Sequence, residues 1–183
     1  MRIITGLLKG RKIDIPNTLN VRPTTDRTKE GIFSVIDARK YIRNTKVLDL
    51  FAGSGNLGFE AISRGAESVL FVDHDRKNIQ HIERQAEEFE VSDQIRMSST
   101  TVEEFLSIPG IPYDFIFCDP PYTYPDMEDM VSTILENGWL QSGGWLILEH
   151  DKHHDFTDHP KCIIVKEYGR TTVSFFSPDT DTE

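Results

Sequence analysis

Cysteine is almost absent from this chain: Cys118 and Cys162 are the two in 183 residues. That excludes a disulfide scaffold and a cysteine-rich zinc site, and each thiol is expected to sit as a small buried side chain. No apolar run approaches the roughly 20 residues that span a bilayer. The stretch Met1 to Leu8 meets Lys9, Gly10, Arg11 and Lys12 before a signal-peptide core could form, so a cytosolic location without membrane contact is expected. Internal repeats and low-complexity segments are also missing. What is present, 38% hydrophobic and 27% charged residues over a single-domain length, is the composition of an ordinary globular domain with one core.

Positive charge is scarce overall, 20 Lys and Arg against 30 Asp and Glu, a net of -10 that taken as one number argues against a nucleic-acid partner. Its distribution argues the other way. Residues 1–46 hold 11 basic and 4 acidic residues, a net of +7, and residues 47–183 hold 9 and 26, a net of -17. Such asymmetry points to a polyanion held by one part of the molecule. The plainer alternative is that the two parts attract each other.

Along the chain, Ile3, Ile4, Leu7, Leu8, Ile13 and Ile15 around the Lys9-Gly10 pair predict a small hairpin ending at Pro16. After Arg22-Pro23, Thr24 or Thr25 can cap a helix that starts near Asp26 and runs to about Tyr41, burying Ile32, Phe33, Ile36 and Tyr41. Gly31 is a weak point inside it, costing about 1 kcal/mol against Ala. From Lys46 onward, short apolar runs alternate with amphipathic helices, the pattern of a parallel sheet covered on both faces. Strands are predicted at 47–50, 68–73, 94–97, 113–119, 145–150, 163–168 and 172–176, and helices at 57–64, 77–89, 102–106 and 127–137. The last two strands flank Gly169-Arg170 as an antiparallel hairpin at a sheet edge.

Two motifs carry chemistry. Val47 to Gly58 runs from a strand through a glycine turn into a helix, with Gly53, Gly55 and Gly58 in the G-x-G-x-x-G spacing that lets a ligand approach the backbone. Asp73, 20 residues past Gly53, ends the next strand, where a carboxylate can accept from ribose hydroxyls. Together they predict a nucleoside-containing cofactor. Asp49 narrows the choice: a carboxylate repels a dinucleotide pyrophosphate but can pair with the ammonium of adenosylmethionine. The second motif is Asp119-Pro120-Pro121-Tyr122 at the end of a predicted strand. Two prolines fix the backbone and leave carbonyl acceptors beside the Asp119 carboxylate, a cradle for an amino group, and Tyr122 offers a ring on which a base can stack.

Asp49 to Gly58, Asp73 and Asp119 to Tyr122 together resemble class I adenosylmethionine-dependent methyltransferases that alkylate exocyclic amino nitrogens of nucleic-acid bases. Met1-Arg2-Ile3-Ile4-Thr5-Gly6, Gly10-Arg11-Lys12, Arg22-Pro23-Thr24-Thr25-Asp26-Arg27 and Tyr168-Gly169-Arg170-Thr171 are similar to the bacterial RsmD family, which methylates N2 of a guanine in small-subunit (16S) ribosomal RNA. The resemblance implies a Rossmann-like α/β sheet, mostly parallel with a C-terminal antiparallel hairpin. It also implies a basic hairpin-and-helix extension over 1–45, a cofactor domain over 46–177 and a tail over 178–183. The implied cofactor is S-adenosyl-L-methionine, with no metal; the expected state is a monomer acting on 16S rRNA, within an assembling subunit or free.

Asp49, Phe51, Gly53, Gly55 and Asp73 are then the expected cofactor contacts. Thr101 joins them, standing before Phe105-Leu106 where the family usually has an aspartate for the adenine amino group. Asp119, Pro120 and Tyr122 are expected to hold the acceptor base. Arg2, Lys9, Arg11, Lys12, Arg22 and Arg27 are expected to dock RNA. Competing expectations are a DNA adenine or cytosine amino methyltransferase and a non-catalytic RNA-binding assembly factor, with an oxidoreductase further off. His150, His153, His154 and His159 with Asp151, Asp155 and Asp158 have irregular spacing and are expected to form an exposed polar loop rather than a metal site. The Glu87-Glu88-Phe89-Glu90 segment is expected to be a solvated face with Phe89 turned inward.

Overall fold

In a computed structural model the described residues are 1–15 and 24–179. Five parallel strands, β1 (Lys46–Leu50), β2 (Ser68–Asp73), β3 (Ile95–Ser99), β4 (Tyr113–Cys118) and β5 (Leu140–His150), are joined by helices α2 (Asn56–Ser63), α3 (Arg76–Glu88), α4 (Val102–Leu106) and α5 (Met127–Glu136). A hairpin of β6 (Cys162–Tyr168) and β7 (Thr171–Phe176) completes the sheet, β7 inserting antiparallel between β5 and β6 to give the order β3-β2-β1-β4-β5-β7-β6. The predicted α/β architecture and its closing hairpin are therefore present. Strand β3 starts at Ile95, one residue later than predicted, because Ser92–Gln94 turn as a short 3-10 helix.

Alternation along the strands sorts side chains into two cores. Val47, Val69, Phe71, Phe115, Phe117, Trp145 and Ile147 face one core, while Leu48, Leu50, Val72, Ile116, Cys118, Leu146 and Leu148 face the other. Helices α4 and α5 cover the second core. Helices α2 and α3 cover the first, with α1 (Asp26–Arg39) beside them. Cys118 is buried as expected, whereas Cys162 is only half-buried.

The N-terminal hairpin forms, closed by the Arg2–Lys12 bridge and by bonds from Ile3 N to Arg11 O and Ile13 N to Met1 O. It is inserted into the first core through Ile3, Leu8 and Ile13 rather than resting on the surface. Its register is fixed by side chains of α2 and α3: Glu60 accepts from the amides of Ile4 and Thr5, Ser63 Oγ accepts from Leu8 N, and Gln85 accepts from Asp14 N. Behind these contacts, the fully buried Lys29 ammonium of α1 bonds Arg2 O at 2.7 Å and Asn56 Oδ1 at 2.8 Å and pairs with Glu60 at 3.2 Å.

Helix α1 is capped by Thr25, whose hydroxyl accepts from Thr28 N, and it buries Ile32, Phe33 and Ile36 as expected. It stops at Arg39, two residues short of the predicted end. Lys40 turns extended, which throws Tyr41 out to 88% exposure and puts Ile42 into the core instead. Phe89 is buried as expected at the end of α3. Gly31 is no weak point: a Cβ there would lie 2.3 Å from the Tyr168 ring, so α1 approaches β6 only because the side chain is missing. Helix propensity alone predicts that Gly31→Ala gains about 1 kcal/mol. Packing reverses the sign, and a loss of about 1–3 kcal/mol is expected in denaturant unfolding, as for other overpacked sites; a stabilised variant would show that the contact relaxes freely.

Candidate active site

The order of strands reverses between β1 and β4, and in open α/β sheets the crevice beyond the strand ends at that point is where ligands bind. A cleft of about 290 Å³ opens there, lined by both sequence motifs: Asp49, Phe51 and Gly53 after β1, and Asp119, Pro120 and Pro121 after β4.

Strand phase decides what lines it. Asp49 follows Val47 on β1, Asp73 follows Phe71 on β2, Asp119 follows Phe117 after β4, and Glu149 follows Ile147 on β5. Since alternate residues share a face, four carboxylates stand in a row at the carboxyl ends of four adjacent strands, all on the face covered by α2. Asp49, Asp73 and Glu149 are each at most 5% exposed. Such a row is costly without cationic or hydrogen-bonding company.

Asp49 shows the cost directly. Its Oδ2 accepts from Gly58 N at 3.0 Å in the first turn of α2, so the carboxylate also caps the turn that leads into this helix. Burial nevertheless raises its pKa well above the ordinary value, with the Asp119 and Asp73 charges adding to the rise and the Gly58 bond opposing it. Gly58 itself is required here, because a Cβ would stand 2.2 Å from the Phe71 ring and 3.0 Å from Asp49 Oδ2.

Asp73 holds the loop from the other side. Its Oδ2 accepts from Gly53 N at 2.8 Å, and its Oδ1 accepts from Asp75 N at 2.8 Å and Asn78 Nδ2 at 3.1 Å. A carboxylate offers about four lone-pair positions, so these bonds leave Asp73 room for one more donor. Asn78 Oδ1, buried beside it in the cleft wall, has no hydrogen-bond partner among the described residues. The pair Asp73 and Asn78 thus offers two acceptors to a vicinal diol where the sequence pointed to Asp73 alone.

Gly53 and Gly55 both adopt positive φ, 56° and 78°, and Gly55 leads into α2. Phe51 does the same at 55°, a conformation that costs a bulky residue about 1–3 kcal/mol and persists where surrounding structure holds it. What holds it is the edge of the Tyr124 ring, 5.2 Å away between centroids. Burial pushes the Tyr124 phenol pKa up, and the neighbouring Glu103 adds to the rise.

Not every expected residue reaches the cleft. Thr101 is not in its lining: the side chain is exposed and its hydroxyl caps α4 by accepting from Glu104 N at 3.2 Å. The hydroxyl thus serves the start of a helix at Val102, outside the cleft lining. Tyr122 stands at the rim, 37% exposed, with its hydroxyl 3.4 Å from Thr171 Oγ1. Conversely, Thr24, Asn56 and Asn78 line the cleft without having been singled out as ligand residues, and Glu149 stands behind Thr24. The in-phase series Trp145, Ile147, Glu149 was the signal that a charge faces inward there.

The expected RNA contacts are spread over the N-terminal hairpin and the start of α1, and none of those described is in the cleft lining. Arg27 is exposed on the first turn of α1, next to the Thr24 wall. Arg2 and Lys12 are exposed across the hairpin bridge. Lys9 is exposed at the hairpin turn, and Arg11 bonds Glu88 O and lies 5.8 Å from the Phe89 ring, at the end of α3 remote from Asp73. Arg22 lies outside the described residues. Of the histidine group, His150 is not in an exposed loop but buried at the end of β5, 2.8 Å from Ser174 Oγ; His153 pairs with Asp151 and His154 with Glu128, and no metal-binding group of three or more ligand residues occurs among the described residues. Nor does any described helix have the length and apolarity to cross a membrane.

This strand order with its glycine loop and Asp-Pro-Pro turn around one crevice is that of Rossmann-like α/β methyltransferases, and the chain is one of them. The family described as Conserved hypothetical protein 95 matches residues 1–177. Ribosomal RNA small subunit methyltransferase D of Haemophilus influenzae is 35% identical over 96% of this chain and 91% of its own length. Putative rRNA methyltransferase YlbH of Bacillus subtilis is 34% identical over 96% and 98%. Among solved structures, the putative methyltransferase yhhF of Escherichia coli superposes with a TM-score of 0.84 at 29% identity, covering 97% of each chain. The chain belongs to this family, the RsmD family of the sequence resemblance.

Because the raised pKa of Asp49 makes its ionisation unfavourable in the folded state, its contribution to stability is lost as pH rises from the ordinary carboxylate range toward the raised value. Asp49→Asn keeps an acceptor for Gly58 N and has no charge to lose. The melting temperature of the variant relative to the native protein should therefore climb between about pH 4 and pH 8. Parallel melting profiles across that range would show that the Asp49 charge costs the fold nothing.

Proposed function

We propose that this protein transfers the methyl group of S-adenosyl-L-methionine to the exocyclic N2 amino group of a guanine in small-subunit (16S) ribosomal RNA. The observation that carries the proposal is the placing of Asp119 and Pro120 on the same crevice as the glycine loop. The acidic row suits a cofactor bearing a sulfonium and an ammonium better than one bearing a pyrophosphate. Asp49 and the Gly53–Gly55 loop suit the methionine end, and Asp73 with Asn78 suits the ribose diol. Phe51 forms the wall between them.

The cofactor supplies a methyl group on a positively charged sulfur. The acceptor nitrogen is a poor nucleophile, its lone pair being delocalised into the purine. Hydrogen bonds from that amine to the Asp119 carboxylate and the Pro120 carbonyl orient it and favour a geometry with the lone pair available, while the carboxylate stabilises the positive charge that grows on nitrogen. The base leaves its stack to enter the cleft, with Tyr122 at the rim as a stacking surface. Arg2, Lys9, Arg11, Lys12, Arg22 and Arg27, in the basic segment over 1–45, hold the RNA backbone along the hairpin and α1, since the acidic body repels phosphate. The protein acts as a cytoplasmic monomer on an assembling small subunit or its free RNA.

Labelled methyl from the cofactor is expected in 16S rRNA as N2-methylguanine on nucleoside analysis, and Asp119→Ala is expected to lower turnover by about a hundredfold or more with cofactor affinity retained. Label in adenine or cytosine would overturn the base assignment, and near-native turnover would remove Asp119 from the mechanism.

Docking has its own test. Arg11→Ala with Lys12→Ala should flatten the slope of log affinity against log salt by about 1.4 to 1.8, two phosphate contacts' worth. An unchanged slope with a lowered melting temperature would mean that these charges serve only to hold the hairpin on the acidic body.

A further inference from the structure

Thr24 is buried, 8% exposed, in the cleft wall, and its one hydroxyl lies 3.1 Å from Asp119 Oδ2 and 3.1 Å from Glu149 Oε1. The carboxylates belong to the ends of adjacent strands, β4 and β5, whose register sets Cys118 opposite Leu148 and hence Asp119 beside Glu149. A hydroxyl has a single proton to give, so Thr24 stands as a shared bridge between the two acids. Helix α1 does not need this hydroxyl, because Thr25 provides the cap. The Thr24 carbonyl is tied to α2 by Asn56 Nδ2 at 3.5 Å, and Asn56 Oδ1 is held by the buried Lys29 ammonium.

We infer that Thr24 is a positioning residue for Asp119: through Glu149 and Thr24, the protein fixes from behind the carboxylate that receives the acceptor amine. This rests on the proposed role of Asp119. The bridge fixes one oxygen of a carboxylate that also lines the cleft, and thereby the rotation of the group that meets the base. Glu149 draws the hydroxyl into that position, and the Lys29–Asn56 chain keeps the Thr24 backbone from retreating. Arg27 follows three residues on, in the first turn of α1, so the bridge links the basic extension to the amine site.

Thr24→Val keeps the shape and removes the hydroxyl, and Thr24→Ser keeps the hydroxyl and removes a methyl. With labelled cofactor and 16S rRNA, Thr24→Val is expected to lower kcat by about tenfold to a hundredfold, the scale of a misplaced reacting group, with the KM for the cofactor unchanged. Thr24→Ser is expected to restore most of kcat. A merely structural role would lower the melting temperature of both variants and leave the division between kcat and KM untouched. Native kcat in Thr24→Val, or a serine variant that folds normally yet is as slow as the valine variant, would overturn the inference. Asp119→Ala in the same assay separates the two levels. A dead Asp119 variant beside a fully active Thr24→Val refutes the bridge alone, whereas an active Asp119 variant refutes the reading on which it rests.

Discussion

The molecule turns on a single buried cation. Lys29 lies on α1, its ammonium reaches Arg2 O of the N-terminal arm, and its other partners, Asn56 and Glu60, are one turn apart on α2. Burial lowers the Lys29 pKa and Glu60 raises it, with burial the larger effect. A charge in such a place is tolerated only because every direction around it is filled by an acceptor. Glu60 extends the junction, taking two amides of the arm and the Arg64 guanidinium, which reaches on to Asp37 of α1. Three stretches of chain far apart in sequence are locked together by groups that cannot be satisfied elsewhere. A hydrophobic contact would allow them to slide; an ion pair with directional hydrogen bonds gives them one register.

From that junction, order passes to the cleft. Asn56 is at once the first residue of α2, a partner of Lys29 and a support for the Thr24 backbone. The glycine loop is likewise held between acids of neighbouring strands, Asp73 taking Gly53 N and Asp49 taking Gly58 N. The acidic row therefore shapes the loop and, in the proposed reading, receives the cofactor's positive charge.

Much of this was legible in the residues. Alternation of apolar runs and amphipathic helices found every strand of the sheet, although β5 begins at Leu140, five residues before the predicted start, and the two motifs named the two walls of the cleft. What escaped was whatever depends on the meeting of distant segments. Gly31 is a flaw by helix propensity, and only the Tyr168 ring lying against it shows that a side chain there would have to displace that ring. Tyr41 fitted the helical period, but the helix ended first. Thr101 stands as the cap of α4, a local role that its position before Phe105-Leu106 did not announce. Glu149 and Thr24 belong to opposite ends of the chain, 125 residues apart, and nothing local to either announces the bond between them. Of the basic segment, the charge was plain, while its burial of Lys29 and its insertion by Ile3, Leu8 and Ile13 were not.

The seating of the arm on α2 and α3 bears on how the chain acquires its shape. The arm's bonds to Glu60, Ser63, Gln85 and Glu88 span 55 to 77 residues of sequence. Synthesis delivers residues 1–15 first, at a rate of about 5–20 residues per second, but the surfaces they bind do not exist until α2 and α3 have emerged and closed on the sheet. Contacts of such long range are made late, since the loop they close must be ordered before they reward it. The basic hairpin is thus made before the surfaces that hold it and is fixed only after them. A nascent chain carries this cationic hairpin unanchored until the fold beneath it is complete, and a gap or strain in α2 is felt first as a loosened hairpin.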